Sequence, residues 1–563
     1  MTTVLAPVRR HAEPTPERRE AWLATAWRVL GEPVTGRKVP GTVVVLVVSL
    51  IVGFIACLVT TSSGINLAYA DTQSHLAISR RIFDSKAPGF TQLGTVWLPI
   101  PSLILIPFVQ SLWLWHTGWA AGLLGMVCLA GTACGVYRIS ARVGHLRAGR
   151  ITAVLLVLAN PSVLYAFSTA MTEPVLILTM VGCFAGLAHW VTSRRNLSAG
   201  EMMVFSGLPA AAATLSRYEG WVLVVGGTFV VLLVAWRRTA SFRYGFKMAC
   251  AFGILPLVAI LWWLTYNFTI YGNALEFATG EYSASALQKA TADAGLLAYQ
   301  GNVGLTLWSY NWAVLETSGL ITVALGIAGA LVLAWKRGIS DDALVIWLMI
   351  VSYAFSLLSL YLGQTHMNND HTLPTNWWNN RYALSVLPFL AVLAAVGVDA
   401  FRRLPRIGVG ALGLVVLLLG GQTVWWAQDL NRSAVIAEAT GYMGLMDRSG
   451  AFAASAYLRE NYDGGGVLID ESAAGNALLP LIGIPLSDYY NRSTGELFDE
   501  ALAQPYTHAK WVFVTTADAP GLSETGVADL VYASITKDHS FDTRYRVAFA
   551  QGNYVIYERL GES

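Results

Sequence analysis

Charge is scarce in this chain. Asp, Glu, Lys and Arg make up 13% of its 563 residues, about half the share of an ordinary water-soluble protein. A soluble globular enzyme is therefore a poor description of it. Charge of one sign is missing too: 37 basic residues stand against 35 acidic ones. Nucleic-acid binding has no electrostatic footprint here. The five cysteines (Cys57, Cys128, Cys134, Cys183, Cys250) all fall in apolar stretches. They read as small buried hydrophobes, which excludes a disulfide framework or a cysteine metal cluster. Internal repeats and low-complexity segments are absent. So is a cleavable signal: about forty mostly polar residues precede an apolar run of about twenty, too long for a signal peptide and long enough to span.

Hydrophobic residues are what the chain has, at 55%. Apolar stretches run over 41–61, 118–138, 151–170, 174–192, 202–216, 220–236, 247–267, 312–335, 343–362, 383–400 and 407–428. The run 99–117 is also apolar, and its treatment decides the topology. As an interfacial or re-entrant segment, with the N-terminus cytoplasmic, it leaves every short basic loop inside. These are Arg138 to Arg150, Arg194/Arg195, Arg237 to Arg243, Lys336/Arg337 and Arg402 to Arg406. As a span it puts them all outside. The excess of Lys and Arg in cytoplasmic loops favours the first choice. The expectation is a polytopic α-helical membrane protein with about eleven transmembrane helices, interfacial helices in the first outer loop, and an external C-terminus.

The polar motifs then share one side. They are the stretch from Asp71 to Arg81, Met171-Thr172-Glu173-Pro174, Ser216-Arg217-Tyr218-Glu219, the loop 268–311, and the segment from His366 to Tyr382. The mid-depth of the spans is almost free of ionisable residues. Transporters usually keep charge near the midplane. An enzyme acting on a lipid-linked substrate needs its charges at headgroup level, and this distribution suits it. After about residue 430 the pattern turns to mixed polarity. A helix over 445–460, strands at 466–470 and 511–515 and a hairpin at 545–557 predict a C-terminal extracytoplasmic α/β domain. The expected organisation is 1–40 cytoplasmic, 41–429 transmembrane, and 430–563 outside.

The layout resembles the C-type superfamily of integral-membrane glycosyltransferases, which includes protein O-mannosyltransferases and aminoarabinose transferases. An acidic motif opens the first outer loop (Tyr69-Ala70-Asp71), and a Pro-rich helix follows (Leu98-Pro99-Ile100-Pro101). A second acidic residue comes at Met171-Thr172-Glu173. An Arg-aromatic motif opens a late span (Arg381-Tyr382, then Pro388). The likeness covers roughly 40–430. Protein O-mannosyltransferases carry an adjacent acidic pair in the first loop; here Thr72 follows Asp71, which leaves the acceptor open. The resemblance implies transfer of a sugar, with mannose the commonest, from a polyprenyl-phosphate donor. The site would face away from the cytoplasm at the plasma membrane, and the acceptor would be a protein, lipid or glycan. The alternative is a transporter or flippase of a polyprenyl-linked or polysaccharide precursor.

Chemistry assigns the candidates. A sugar phosphate already carries a good leaving group, whereas a glycosidase needs a second carboxylic acid to protonate a poor one. Transfer requires one base for the acceptor hydroxyl and cations for the departing phosphate. Asp71 suits the base. Arg381 and Arg217 suit the phosphate, because the guanidinium fork binds its oxygens bidentately, with Tyr382 beside them. Glu173 is the second catalytic candidate, to orient the acceptor, hold a metal or pair with an arginine. His75, Gln73, Glu219 and Trp97 are candidates for substrate contact. A divalent metal is possible, with His366, Asp370 and His371 as candidate ligands, and no cofactor is assigned. Structural alternatives remain open. Asp71 suits a helix cap, Glu173 a dipole-favoured first-turn charge, Arg217 and Glu219 a local pair, and Arg381 a snorkelling residue. The His366 to His371 loop also suits plain solvation. The loop 268–311, about forty residues long, is expected to be a lid over the donor site.

Overall fold

The computed structural model describes residues 39–561 apart from 145, 194–196, 281–282, 294, 373–374, 403–407, 474–477 and 517–528. Almost all of the expected N-terminal segment 1–40 lies outside the described residues, as do Arg194, Arg195, Arg403 and Arg406 of the basic loops. The chain is predominantly helical, with one small sheet towards its C-terminal end. Among the described residues, eight helices are long and apolar enough to cross a membrane. They are Thr42–Ser62, Trp119–Val143, Glu173–Thr192, Glu219–Thr239, Phe242–Tyr271, Leu320–Arg337, Asp341–Tyr361 and Asn380–Phe401. Large apolar side chains such as Val43, Phe54, Leu331 and Trp335 point outward from them, as helices solvated by lipid tails require. The protein is a polytopic membrane protein with a C-terminal α/β region.

Among the described residues, eight of the roughly eleven expected apolar runs form continuous full-length helices; the others are interrupted or shortened, because an apolar run is not always a continuous helix. The run 151–170 breaks at Asn160-Pro161 into Arg147–Leu158 and Pro161–Ala166. Proline cannot continue the amide ladder, and the Asn160 side chain accepts from the Val163 N–H at 3.0 Å to restart it. The run 202–216 passes through a π-turn at Met203–Gly207 before Leu208–Thr214. The last run forms the helix Gly408–Gln428, whose described apolar part, Leu412–Gln428, is shorter.

Small residues let the spans approach closely. On Leu320–Arg337, Gly329 lies against the helix Leu387–Arg402, where a Cβ would sit 1.8 Å from the Leu393 carbonyl oxygen. Only glycine fits that crossing. Basic residues gather at one end of the bundle. Arg337 donates to the Val143 carbonyl and pairs with Asp342, both at 2.7 Å. Arg237 and Arg238 lie 3.6 Å from Asp341. The carboxylate-rich helix starts at Glu173 and Glu219 are at the opposite end.

The run 99–117 does not cross. It forms Ile100–Val109 and Leu112–His116, and ten residues rise only about 15 Å against a hydrocarbon core of about 30 Å. The segment 268–311 differs from the loop expected. Phe242–Tyr271 extends into it and ends at Gly272, whose φ of 74° is left-handed. Glu276–Thr279 and Ala284–Asp293 follow, and Val303–Ser318 begins on an Asn302 cap. Its aromatic residues provide the order: Phe277 stacks on Tyr218 with ring centres 5.1 Å apart and meets the edge of Trp221.

The C-terminal sheet has five strands: β1 (Val467–Ile469), β2 (Tyr489–Tyr490), β3 (Trp511–Thr515), β4 (Tyr545–Gln551) and β5 (Tyr554–Arg559), in the order β2-β1-β3-β5-β4. β1 runs parallel to β2 and β3, while β5 is antiparallel to both β3 and β4. Alternation along the strands makes two faces. Leu468, Val512 and Val514 pack on Phe498 and Val531. Val467, Ile469, Trp511 and Phe513 share a core with Leu76, Leu105 and Trp115, from the segment between Thr42–Ser62 and Trp119–Val143. Polar bonds reinforce that seam: Gln92 donates to the Ser493 carbonyl at 2.8 Å, and Asp84 accepts from the N–H of Leu486 and Ser487.

Candidate active site

Three carboxylates occupy first turns of helices: Asp71 in Ala70–Arg81, Glu173 in Glu173–Thr192 and Glu219 in Glu219–Thr239. Each position is favoured by the helix dipole. The three helix starts converge, and two arginines bridge them. Arg381 pairs with Asp71 through Nη2 and with Glu173 through Nε at 3.2 Å. Arg217 reaches the same Glu173 oxygen at 3.0 Å, Glu219 at 3.0 Å and the Thr172 hydroxyl at 3.0 Å. Tyr382 lies between the arginines, 4.5 Å from Arg217 and 5.2 Å from Arg381 measured to the ring centre, and Tyr69 covers Arg381 from another side at 5.0 Å. Aromatic faces hold guanidinium groups where water is scarce.

A cavity of about 880 Å³ opens over this network. Asp71, Trp97, Arg217, Glu219, Arg381 and Tyr382 line it. The side chain of Asp71 is 35% exposed, while that of Glu173 is 2% exposed. Glu173 therefore lies beneath the floor, holding both arginines. Asp71 is at the surface of the cavity, where a substrate can reach it.

The other sequence candidates separate from this group. Gln73 is buried and spends its amide on the Leu67 carbonyl at 2.6 Å. His75 is buried one turn beyond Asp71 and packs on Trp97, with ring centres 4.5 Å apart. Burial pushes the His75 imidazole down to about 4. Neither residue lines the cavity. His371 lies 3.4 Å from Glu316 and stacks on Trp312, Asp370 is exposed, and His366 lines the cavity. Among the described residues, no three His, Cys, Asp or Glu side chains come together in a way that suits a metal ion.

Sequence reasoning missed one wall. The helix Ala434–Ser449, which leads into the C-terminal region, presents Ala437, Glu438, Gly441, Tyr442, Leu445 and Arg448 to the cavity. These positions recur at helical spacing. Glu438 accepts from the N–H of Asn379 at 2.8 Å and of Asn380 at 3.4 Å, which fixes the turn that carries Arg381. Asn379 is left-handed there, with φ 57°, a conformation asparagine tolerates better than most residues. Burial raises the Glu438 carboxyl, and Arg381 opposes that shift. No motif marks Glu438 in the sequence; only the long-range packing does.

No family model and no curated protein matches this chain. Solved structures do. ArnT from Cupriavidus metallidurans bound to undecaprenyl phosphate is similar with a TM-score of 0.53 at 16% identity, covering 95% of this chain and 98% of that one. The same protein in its apo state gives 0.52 at 15% identity, with the same coverage of 95% and 98%. At this identity the likeness establishes the fold, and it extends over nearly the whole of both chains. The polytopic helical architecture with a C-terminal sheet expected from the sequence is the architecture found.

Proposed function

We propose that this protein transfers a sugar from a polyprenyl-phosphate donor to an acceptor hydroxyl, with inversion at the anomeric carbon, on the extracytoplasmic face of the plasma membrane. The observation that carries the reading is the pair formed by Asp71 and Arg381 at the floor of a large cavity at one end of an apolar bundle. The fold shared with a protein that binds undecaprenyl phosphate supports the choice of donor. The gathering of basic residues at the far end of the bundle supports the outward orientation.

In this mechanism the acceptor oxygen attacks the anomeric carbon opposite the phosphate. Asp71 takes the hydroxyl proton. The anomeric C–O bond breaks, and polyprenyl phosphate departs with its growing charge held by Arg381 and Arg217. Glu173, beneath the floor, and Glu219, on the cavity wall, keep the arginines in place. Asp71 holds one arm of the Arg381 fork, Nη2, while Glu173 holds Nε. A bound phosphate therefore displaces Asp71 and frees it to act as base, so base activation follows donor binding. The arginines already sit against carboxylates, so bare charge attraction is not the source of donor affinity; fork geometry and the apolar cavity wall are.

The test is turnover in detergent with purified protein, a polyprenyl-phosphate sugar (mannose first) and an acceptor mixture from the cell envelope. Released polyprenyl phosphate that disappears with Asp71→Asn supports transfer. A transporter needs two compartments and leaves the donor intact, so an unconsumed donor under every acceptor condition would overturn the reading.

A further inference from the structure

The cavity has a second pole. Arg217 and Arg381 are each held by two carboxylates. Arg448 also lines the cavity, and it is exposed and has no ion pair or side-chain hydrogen bond among the described residues. It lies on the face of Ala434–Ser449 that carries Glu438, ten residues further along, or about 15 Å at the rise of an α-helix. Glu438 touches the turn that bears Arg381, and the Arg448 side chain folds back along the helix so that its Nη1 is 3.3 Å from where a Cβ on Gly444 would lie, six residues or about 9 Å of helix rise beyond Glu438.

Between the two poles the lining is aromatic and amide-rich: Trp377, Trp378 and Tyr442 with Asn376 and Gln364. Flat aromatic faces with a polar tip suit sugar rings, which are apolar on their C–H faces and ringed by hydroxyls. An unpaired guanidinium at the end of such a surface suits an anion. Resting on the transferase reading above, we propose that the acceptor is an anionic glycan. It carries a phosphate or carboxylate at the end remote from the attacked hydroxyl, its sugar rings lie on Trp377, Trp378 and Tyr442, and its anion is held by Arg448. A neutral peptide hydroxyl has no use for this arrangement.

The experiment measures binding to the purified full-length protein loaded with polyprenyl phosphate. The probes are a neutral disaccharide, the same disaccharide oxidised to a uronic acid at one end, and the same disaccharide phosphorylated. Wild type should bind one or both anionic probes about tenfold more tightly than the neutral one, within the range of charged hydrogen bonds. Which probe it prefers distinguishes carboxylate from phosphate. Arg448→Gln should remove the preference, and Arg448→Lys should retain part of it because the charge stays. Equal binding of all three probes by wild type, or a preference that survives Arg448→Gln, would overturn the proposal. Polyprenyl phosphate binding, recorded first on the same sample, reports on the donor reading separately. Thermal unfolding of both variants shows whether the fold is intact, and loss of the preference in a variant that unfolds like wild type is the supporting result.

Discussion

Replacing Glu173 and replacing Asp71 should have opposite signatures. Glu173 is 2% exposed and accepts from Arg381 at 3.2 Å and from Arg217 at 3.0 Å. In Glu173→Gln the shape survives and the amide oxygen can still accept from both guanidiniums, which share one Glu173 oxygen, but the one negative charge between them is lost. Breaking a buried pair costs about 3–5 kcal/mol. Asp71 and Glu219 still hold one arginine each, so the lower end, about 3 kcal/mol, applies. Asp71 is 35% exposed and has one partner. Asp71→Asn should therefore cost no more than about 1 kcal/mol of stability, while turnover falls about 100-fold or more, as expected for a positioned base. Denaturant titration in detergent reads the first quantity, and release of polyprenyl phosphate reads the second. Asp71→Asn with near-normal turnover removes it as the base. Glu173→Gln with wild-type stability means that the shared carboxylate does not hold the arginines as described.

Other consequences can be measured directly. Arg381→Lys keeps the charge but loses the fork, so binding of polyprenyl phosphate should weaken about tenfold; if Lys and Ala variants both bind like wild type, Arg217 is the phosphate residue instead. Single cysteines placed at Ser198 and Ser487 in a cysteine-free background should label from opposite sides of the membrane, and equal labelling from outside would reverse the orientation. Burial lowers His75 from 6.5 to about 4, so the unfolded chain takes up the proton first. This group's share of stability is therefore intact above about pH 6.5 and is lost as pH falls towards about 4. His75→Gln should flatten that part of a stability–pH curve, and an unchanged acid limb would clear His75 as its cause.

Much of the fold is written locally. Apolar length and the placement of Arg and Lys mark most of the spans, and the short Pro-rich run 99–117 is recognisable as non-crossing. β3 runs over 511–515 and β5 starts at Tyr554, as alternation and the turn at Gly552 suggest. The misses have physical causes. Asn160-Pro161 and the π-turn at Met203–Gly207 interrupt helices without interrupting apolarity. The segment 268–311 looks polar and loop-like because its order comes from Phe277 packing on Tyr218 and Trp221. Asp71, Arg217, Glu219 and Arg381 were visible as ionisable residues at the mouths of spans, where charge is costly enough to need a reason. Glu438 and Arg448 were not visible, because they sit on an ordinary polar helix whose cavity-facing side is set by contacts distant in sequence.

Those contacts show why the C-terminal region belongs to the site's physics even though the spans carry most of its charges. One face of the sheet packs on Leu76 and Trp115, and Leu76 follows Asp71 on the same twelve-residue helix. The Trp115 indole donates to the Leu76 carbonyl at 3.0 Å, which locks that helix against the interfacial one. From the other side, Glu438 holds the N–H groups beside Arg381. Each partner of the pair between Asp71 and Arg381 is thus braced by the C-terminal region, through different contacts. A salt bridge with one partially exposed member has little stability of its own. It can hold a defined geometry only if both backbones are fixed independently. That is the arrangement required if an incoming phosphate is to exchange Asp71 for itself on the Arg381 fork without the surrounding helices moving.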